Sequence, residues 1–360
     1  MSDRIKAVVC GTTFGQFYCE ALKKSEDRID FCGILAAGSE RSVKCAEHYG
    51  VRLFRSVEEI PDDVRLACVV TRSGVLGGIG TDLSKQFLER GINVIQEQPV
   101  HFRDITECAR IAGKNGVFYR VGDLYRHLPN VKCFTEAAKK LSEVSEIQFI
   151  EVGTASQVSY PVFEIISEIV KSVRPFSLHN ISKNDRPFQT AEADIGGVPV
   201  LFTVQNQVNP EDPDNFMHYL FRFELITSDG RLRLDDAMGG VYWYNKMFVP
   251  VHGGIVSELS GDPDLAKKSV RELYRPQSKE FSKIFTEEWI PAIGKDIENY
   301  LGIIEQKDSK AMNMYYNKTL AASKMWHEFT SEIGFASLIS GKTVSSEADS
   351  LMSYIENSGN

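Results

Sequence analysis

The sequence predicts an α/β first half, a doubly wound parallel sheet, joined to a second domain on a large, open, mostly antiparallel sheet. Three observations carry this. From Lys6 to about Arg120, short β-branched runs alternate with helical stretches, the signature of strand-helix-strand units. Beyond Pro129 the pattern changes to strand-forming runs separated by turn signals. The length of 360 residues exceeds one ordinary domain of roughly 100–200 residues, so two are expected.

Taken in order, strands are read at 5–10, 31–36, 66–71, 94–96 and 117–121. Between them, 16–24, 42–49, 81–90 and 105–114 carry apolar residues at helical spacing. Amphipathic helices of this kind cover both faces of a parallel sheet, which makes residues 1–122 a Rossmann-type domain. In the second part, strands are read at 146–151, 188–193, 198–207, 218–227, 231–235 and 241–244. Gly196-Gly197 and Asp229-Gly230 are hairpin signals, so neighbouring strands run antiparallel. Phe221, Phe223 and Leu225 alternate with Arg222 and Glu224, leaving one face buried and one more polar. Helices return at 281–306 and 309–333, completing a second domain at 123–342. The tail, 343–360, rich in Ser and acidic residues, is expected to be frayed or weakly docked.

Composition narrows the function. Lys and Arg number 41 against 49 Asp and Glu, a net charge of −8, so the chain lacks the positive field that nucleic acid requires. Apolar runs are short and interrupted by charges, and MSDRIKAVV shows no signal-peptide core, so a cytoplasmic protein without a membrane partner is expected. Seven cysteines, an odd number without a C-x-x-C pair, argue against a disulfide framework or a zinc ribbon and read as small buried apolar residues. The seven histidines show no ligand-like spacing, and no metal is expected.

The first strand ends in Cys10-Gly11-Thr12-Thr13-Phe14-Gly15 and runs straight into a helix, the context of a dinucleotide turn, where backbone N–H groups and the positive helix end face a pyrophosphate. Aligned on Gly15, the usual G-x-G-x-x-G reads C-x-T-x-x-G, so two of its three glycines are absent. The next strand leads into Gly38-Ser39-Glu40-Arg41-Ser42, where hydroxyls and a guanidinium suit a ribose 2′-phosphate, so NADPH is favoured over NADH. Glu40 is the awkward member, pointing to solvent or opening the helix. The loop from Arg72 to Gly80 carries four glycines at the carboxyl edge of a central strand; it lines a ligand or serves as a flexible connection.

Residues 94–101 (VIQEQPVH) resemble the E-K-P turn of the glucose-fructose oxidoreductase and inositol dehydrogenase family. The resemblance implies that Glu97, Gln98 and Pro99 lie beside the nicotinamide, with Gln98 where the family commonly has its chemically active lysine. Sugar and polyol dehydrogenases of that family also carry Asp-x-x-x-His on a second-domain helix; the corresponding region here, from Tyr160 to Glu168, has no histidine. Both departures argue against carbohydrate oxidation. Residues 11–15 (GTTFG), 71–81 (TRSGVLGGIGT), 96–101 (QEQPVH), 124–129 (LYRHLP) and 205–214 (QNQVNPEDPD) are similar to one branch, the thiazolinyl imine reductases of yersiniabactin- and pyochelin-type siderophore assembly. That resemblance implies NADPH-dependent reduction of a thiazoline C=N to a thiazolidine, on an intermediate tethered to a nonribosomal peptide synthetase carrier domain. It also implies a homodimer formed through the open sheet. The expected cofactor contacts are Gly11, Thr12, Thr13, Phe14, Gly15, Gly38, Ser39, Arg41, Ser42, Thr71, Arg72, Ser73, Glu97, Gln98 and Pro99.

Hydride transfer to an imine carbon builds negative charge on nitrogen, so the site needs a proton source. His101, beside the nicotinamide turn, is one candidate; its alternative role is to cap the helix beginning near Asp104. Tyr125, emerging after a strand at the sheet's carboxyl edge, is the other, with Tyr119 a rival better placed for packing. Asp123 and His127 flank Tyr125, suited to orienting it or relaying a proton, or simply to a turn and the surface. Phe221, Phe223, Tyr242, Trp243 and Tyr244 are chiefly core or interface. Lys267, Arg271, Arg275 and Lys279 recur every four residues, although Pro276 prevents one continuous helix; such a stripe is usually a solvated face, with docking of an acidic carrier domain as the alternative. The competing readings are a sugar or polyol dehydrogenase of the same family and a non-catalytic NADPH-binding regulator.

Overall fold

The computed structural model describes residues 4–71, 77–182, 186–249, 267–341 and 346–358. The first domain places β1 (Ile5–Cys10), α1 (Gly15–Lys24), β2 (Ile29–Leu35), α2 (Glu40–Tyr49), β3 (Arg52–Phe54), β4 (Leu66–Val69), α3 (Ile79–Glu89), β5 (Asn93–Gln96), α4 (Phe102–Lys114) and β6 (Tyr119–Val121). Its six strands are all parallel, in the order β3-β2-β1-β4-β5-β6. Every residue of β4 and β5 is buried, as a sheet covered on both faces requires. The expected doubly wound sheet is therefore present.

The second half begins with α5 (Pro129–Val144), β7 (Ile147–Ala155), α6 (Tyr160–Ile169), β8 (Phe176–Ser182), β9 (Phe188–Ile195), β10 (Val198–Gln205) and β11 (Gln207–Val208). It continues through β12 (Phe221–Thr227), β13 (Gly230–Leu234), β14 (Val241–Asn245), β15 (Val270–Tyr274), α7 (Phe281–Ile284), a π turn (Phe285–Trp289), α8 (Ile290–Gln306), α9 (Ser309–Ile333), β16 (Ser337–Leu338) and α10 (Ser346–Ser358). Eight strands form one sheet, β15-β14-β13-β12-β7-β10-β9-β8, antiparallel except where β10 pairs with β7. Alternation in β12 and β13 gives it a buried and a half-exposed face. The buried face packs on α5, α6 and α9 through Phe134 against Phe223 at 5.5 Å, and through Phe163 and Phe329 against Phe202 at 5.7 and 4.8 Å.

Pro129, which ended the first pattern in the sequence, starts α5 instead, because proline's missing N–H is harmless in a helix's first turn. The edge strands β3, β8 and β15 were not expected; β3 has three residues, and β8 and β15 are largely exposed and lack a clear apolar alternation. Arg271 lies within β15, so the spacing of four does not gather the basic residues on a helical face. Arg275 pairs with Glu272, and Lys279 with Glu287 and Glu288. No helix among the described residues is long and apolar enough to cross a membrane.

The C-terminal helices return to the first sheet. Edge strand β6 has one flank without a strand partner, and α9 supplies phenols in place of one. Tyr316 Oη accepts from Tyr119 N and donates to Tyr119 O at 3.2 and 2.8 Å, and Tyr315 Oη does the same for Val121 at 3.0 Å each way. An open edge would otherwise leave these groups unsatisfied. From α8, the Tyr300 hydroxyl donates to the carbonyls of Val94 and Phe118. Tyr316→Phe strands one N–H and one C=O, and is expected to cost about 1–3 kcal/mol in urea denaturation; an unchanged midpoint would show that the phenol does not close the edge.

Candidate active site

The carboxyl edge of the first sheet supplies most of the site. Gly11 stands at φ +94°, and a Cβ there would lie 2.3 Å from Val70 O, so only glycine fits this turn. At Gly15 a Cβ would press on Val9 at 3.3 Å, which lets α1 approach β1 closely. No side chain caps α1, whose N-cap is Phe14; Phe17 N donates to Phe14 O at 3.0 Å, and the N–H groups of Gly15 and Gln16 before it face the turn that would meet an anion. Thr12 is buried, and its carbonyl accepts from Gln16 Nε2. Two of the fingerprint glycines are missing, yet the geometry they serve is retained.

At the end of β2, Ser39 caps α2 by accepting from Ser42 N at 3.3 Å. Ser42 is fully buried with its hydroxyl donating to Ser39 O, so it holds the turn from inside and does not face a ligand. Arg41 reaches back to donate to Thr13 Oγ1 at 3.2 Å, linking the two turns. Glu40 points outward, its side chain 82% exposed and paired with Lys44. Gly38, at φ +94°, has the Arg55 guanidinium where a Cβ would stand. Arg55 thus joins Arg41 at this turn; it follows the three-residue β3, and nothing in the sequence marked it.

Thr71 follows β4 beside Gly11, its hydroxyl buried and without a partner. Arg72 and Ser73, like most of the glycine loop, lie outside the described residues; the loop resumes at Gly77, whose N–H donates to Asp104 Oδ2 at 2.7 Å. After β5, Glu97 Oε2 accepts from the buried Tyr18 hydroxyl at 2.5 Å. Burial, reinforced by Asp296, pushes the Glu97 carboxyl up to about 8, against Tyr18's opposing hydrogen bond. Gln98 precedes Pro99 through a cis peptide, and both polar atoms of its amide are buried without a partner. Unpaired buried polar atoms are rare enough to need a cause. With the uncapped helix, Thr71 and Gln98 fit a cleft built for a polar ligand such as a dinucleotide.

The two proton-donor candidates have separate surroundings. His101 is buried and caps α4, its Nδ1 accepting from Arg103 N at 3.2 Å, which leaves the proton on Nε2. Its ring meets His327 of α9 edge-on at 4.5 Å, and burial, then His327, lowers its pKa, so the imidazolium is scarce at neutral pH. Tyr125 packs edge-on against Phe221 at 5.3 Å and Trp289 at 6.3 Å. Burial and the Glu97, Asp214 and Asp236 carboxylates raise its phenol, which keeps its proton at any physiological pH.

Asp123 is bound within its own turn. Both its carboxylate oxygens are taken by Arg126, and its N–H donates to Asp296 Oδ2 at 3.2 Å, so it shapes the turn that carries the phenol. His127 is likewise held by Asp296 at 3.2 Å, and Tyr119 is a core residue donating to Gln96 Oε1. On α6, where the family pair was sought, Glu168 is bound by Arg126, Lys139 and Lys318. No described group of three or more His, Cys, Asp or Glu is placed to hold a metal.

Comparison with known proteins agrees with this geometry. Residues 5–123 match the GFO/IDH/MocA oxidoreductase family, NAD-binding Rossmann fold, and residues 145–244 match the Irp3-like thiazolinyl imine reductase C-terminal domain. No curated protein matches. Among solved structures, GenD2 of gentamicin A biosynthesis with NAD is 16% identical, covering 92% of this chain and 95% of its own at a TM-score of 0.65. KijD10, a 3-ketoreductase from Actinomadura kijaniata with NADP, is 12% identical over 94% and 100% at 0.66. A Chromobacterium violaceum dehydrogenase is 12% identical over 99% of each chain at 0.67. These likenesses show a shared fold. Fold and site together define an NAD(P)-dependent oxidoreductase. Its residues 5–123 carry the NAD-binding Rossmann domain of the GFO/IDH/MocA oxidoreductase family.

The Glu97 carboxyl titrates near 8 in the folded protein, against 4.5 for an ordinary glutamate. The fold therefore favours its protonated form, whose contribution to stability is complete below about pH 4.5 and is lost as pH rises through 8. Glu97→Gln, which keeps an acceptor for Tyr18, is expected to raise the melting temperature relative to the native chain at pH 8.5 more than at pH 5, by roughly a few degrees. An equal difference at both pH values would contradict the assignment.

Proposed function

We propose that the protein reduces the C=N bond of a thiazoline to a thiazolidine with NADPH, on a siderophore intermediate tethered to a nonribosomal peptide synthetase carrier domain in the cytoplasm. The observation that carries this reading is the match of residues 145–244 to the thiazolinyl imine reductase domain, joined to a site with Gln98 in the turn beside Glu97. An uncharged amide cannot take a proton from a sugar hydroxyl, as oxidation requires. Reduction of an imine needs a donor instead.

Bound at this cleft, the reduced dinucleotide supplies hydride to the imine carbon. Gly11, Thr12, the α1 N-terminus and Thr71 hold its pyrophosphate side, and Gln98 orients what lies against the Glu97 turn. Tyr125 protonates the nitrogen. A phenol with a raised pKa is still far more acidic than the amine N–H that its proton creates, so transfer to the nitrogen anion is downhill, and the phenol stays loaded with its proton until then. His101, neutral and committed to its helix, positions the turn. Arg41 and Arg55 favour a 2′-phosphate, a recognition that guanidinium groups perform well. The half-exposed face of the eight-stranded sheet, with Tyr242 and Tyr244 beside Arg231 and Arg233, is the surface for a homodimer.

The test is consumption of NADPH, followed by its near-ultraviolet absorbance, with a carrier-bound or small-molecule thiazoline, run beside NADH and beside inositol and glucose with NADP. Consumption with the imine alone supports the reductase; turnover of the sugar alone overturns it in favour of a carbohydrate dehydrogenase. Tyr125→Phe should lower kcat about a hundredfold or more with NADPH affinity unchanged. His101→Ala should cost mainly helix-cap stability, about 1 kcal/mol. Arg41→Ala with Arg55→Ala should weaken NADPH binding roughly ten- to a hundredfold and leave NADH unchanged, as loss of charged hydrogen bonds to the phosphate predicts. Equal losses for the two cofactors would refute the assignment of these arginines.

A further inference from the structure

A chain of aromatic rings runs from solvent to Tyr125. It starts at Phe281, 66% exposed, passes to Phe285 at 6.4 Å and then to Trp289 at 5.0 Å. Trp289 spans the cleft, 6.1 Å from Phe14 at the N-cap of α1, 5.8 Å from Phe17 and 6.3 Å from Tyr125. It thus touches both the residue that opens the dinucleotide turn and the proposed proton donor. A π turn interrupts the helix at 285–289, an irregularity that regular helices avoid and that is frequent at functional sites. The segment is pinned at several points: Lys24 Nζ donates to Thr286 O at 3.3 Å, and Lys279 bridges Glu287 and Glu288 at 3.1 and 3.0 Å.

Within this cluster the indole N–H of Trp289 is buried and has no acceptor. The rings packed on Trp289 are Phe14, Phe17, Tyr125 and Phe285, of which only Tyr125 offers a water molecule one of the two to four polar partners it needs. Burying the donor therefore costs stability unless something else supplies an oxygen. The side chain's position between Phe14 and Tyr125 says which oxygen that is.

We propose that Trp289 reads the bound dinucleotide: its indole N–H donates to an oxygen in the nicotinamide-bearing half, and its ring holds Phe14 and Tyr125 at a fixed separation. This rests on the reading of the cleft as an NADPH site. It makes the C-terminal helix, through a single side chain, part of cofactor recognition, a role none of the matched domains, which end at residue 244, covers. Trp289 is a positioning residue for Tyr125 and a binding residue for the cofactor.

The test is calorimetric binding of NADPH and of adenosine 2′,5′-bisphosphate, which keeps the adenosine half and lacks the nicotinamide and its ribose phosphate, to the full-length native chain, Trp289→Phe and Trp289→Leu. Trp289→Phe keeps an aromatic ring and removes the N–H; it should weaken NADPH roughly threefold to tenfold, the loss of one hydrogen bond, and leave adenosine 2′,5′-bisphosphate unchanged. Trp289→Leu should weaken NADPH further and lower the melting temperature. Native affinity for NADPH in Trp289→Phe would overturn the proposal, as would an equal loss for both ligands, which would mean that the residue acts through the fold. A native chain that binds neither ligand would overturn the NADPH reading itself, and the role of Trp289 with it.

Discussion

The site depends on one buried carboxylate. Asp296 of α8 accepts from the Arg120 guanidinium at the middle of β6, from the N–H of Asp123, and from the ring of His127. Taking an ion pair out of water is favourable only when its remaining valences are also satisfied, and removing one partner of such a pair typically costs about 3–5 kcal/mol. Here the satisfied valences are the backbone and side chains of the turn that carries Tyr125. The second domain's last helices are thereby locked to the edge of the first sheet. The network continues through Arg126, which clamps Asp123 and reaches Glu168 of α6, where Lys139 of α5 and Lys318 of α9 also converge. Four helices and a strand meet on one run of charges.

Beside that network, the unpaired atoms at the sheet's carboxyl edge are informative. Thr71, Gln98 and Trp289 each bury a polar atom with no partner, and they stand at the dinucleotide turn, at the turn after β5 and across from Tyr125. Arg120, Tyr160, Glu164, Gln189, Arg222 and His327 also bury an unpartnered atom, but Thr71, Gln98 and Trp289 are the ones that border the dinucleotide turn and Tyr125, the place where a ligand belongs. Two titrations perturbed first by burial stand at the same edge, Glu97 pushed up to about 8 and the phenol of Tyr125 raised.

Much of this was legible in the residues. The fully buried runs of β4 and β5, the buried end of β1 from Ala7 to Cys10, the glycine at position 11 and the alternation of β12 all follow from local physics, and the turn after β1 and Tyr125 after β6 stand at the sheet's carboxyl edge as the strand order implies. The rest depends on partners distant in the chain. Arg55 meets Gly38 only because β3 pairs with β2, and Asp296 is an ordinary helical aspartate until Arg120 is placed against it. Asp123 and Ser42 were read as facing the chemistry or the cofactor, yet each is consumed by its own turn, a competition between side chain and backbone that residue identity alone does not decide. Tyr315 and Tyr316 could not be recognised as the partners of β6 before its edge was known.

In the proposed reduction, hydride passes from a nicotinamide to a ring carbon of a thiazoline while Tyr125 supplies the proton. The most direct measurement is mass spectrometry of the thiazolidine formed with NADPH deuterated at the transferable position of the nicotinamide. The expected product carries one deuterium at the former imine carbon. A thiazolidine without the label, or a deuterium that stays on the cofactor while the thiazoline is returned intact, would contradict it.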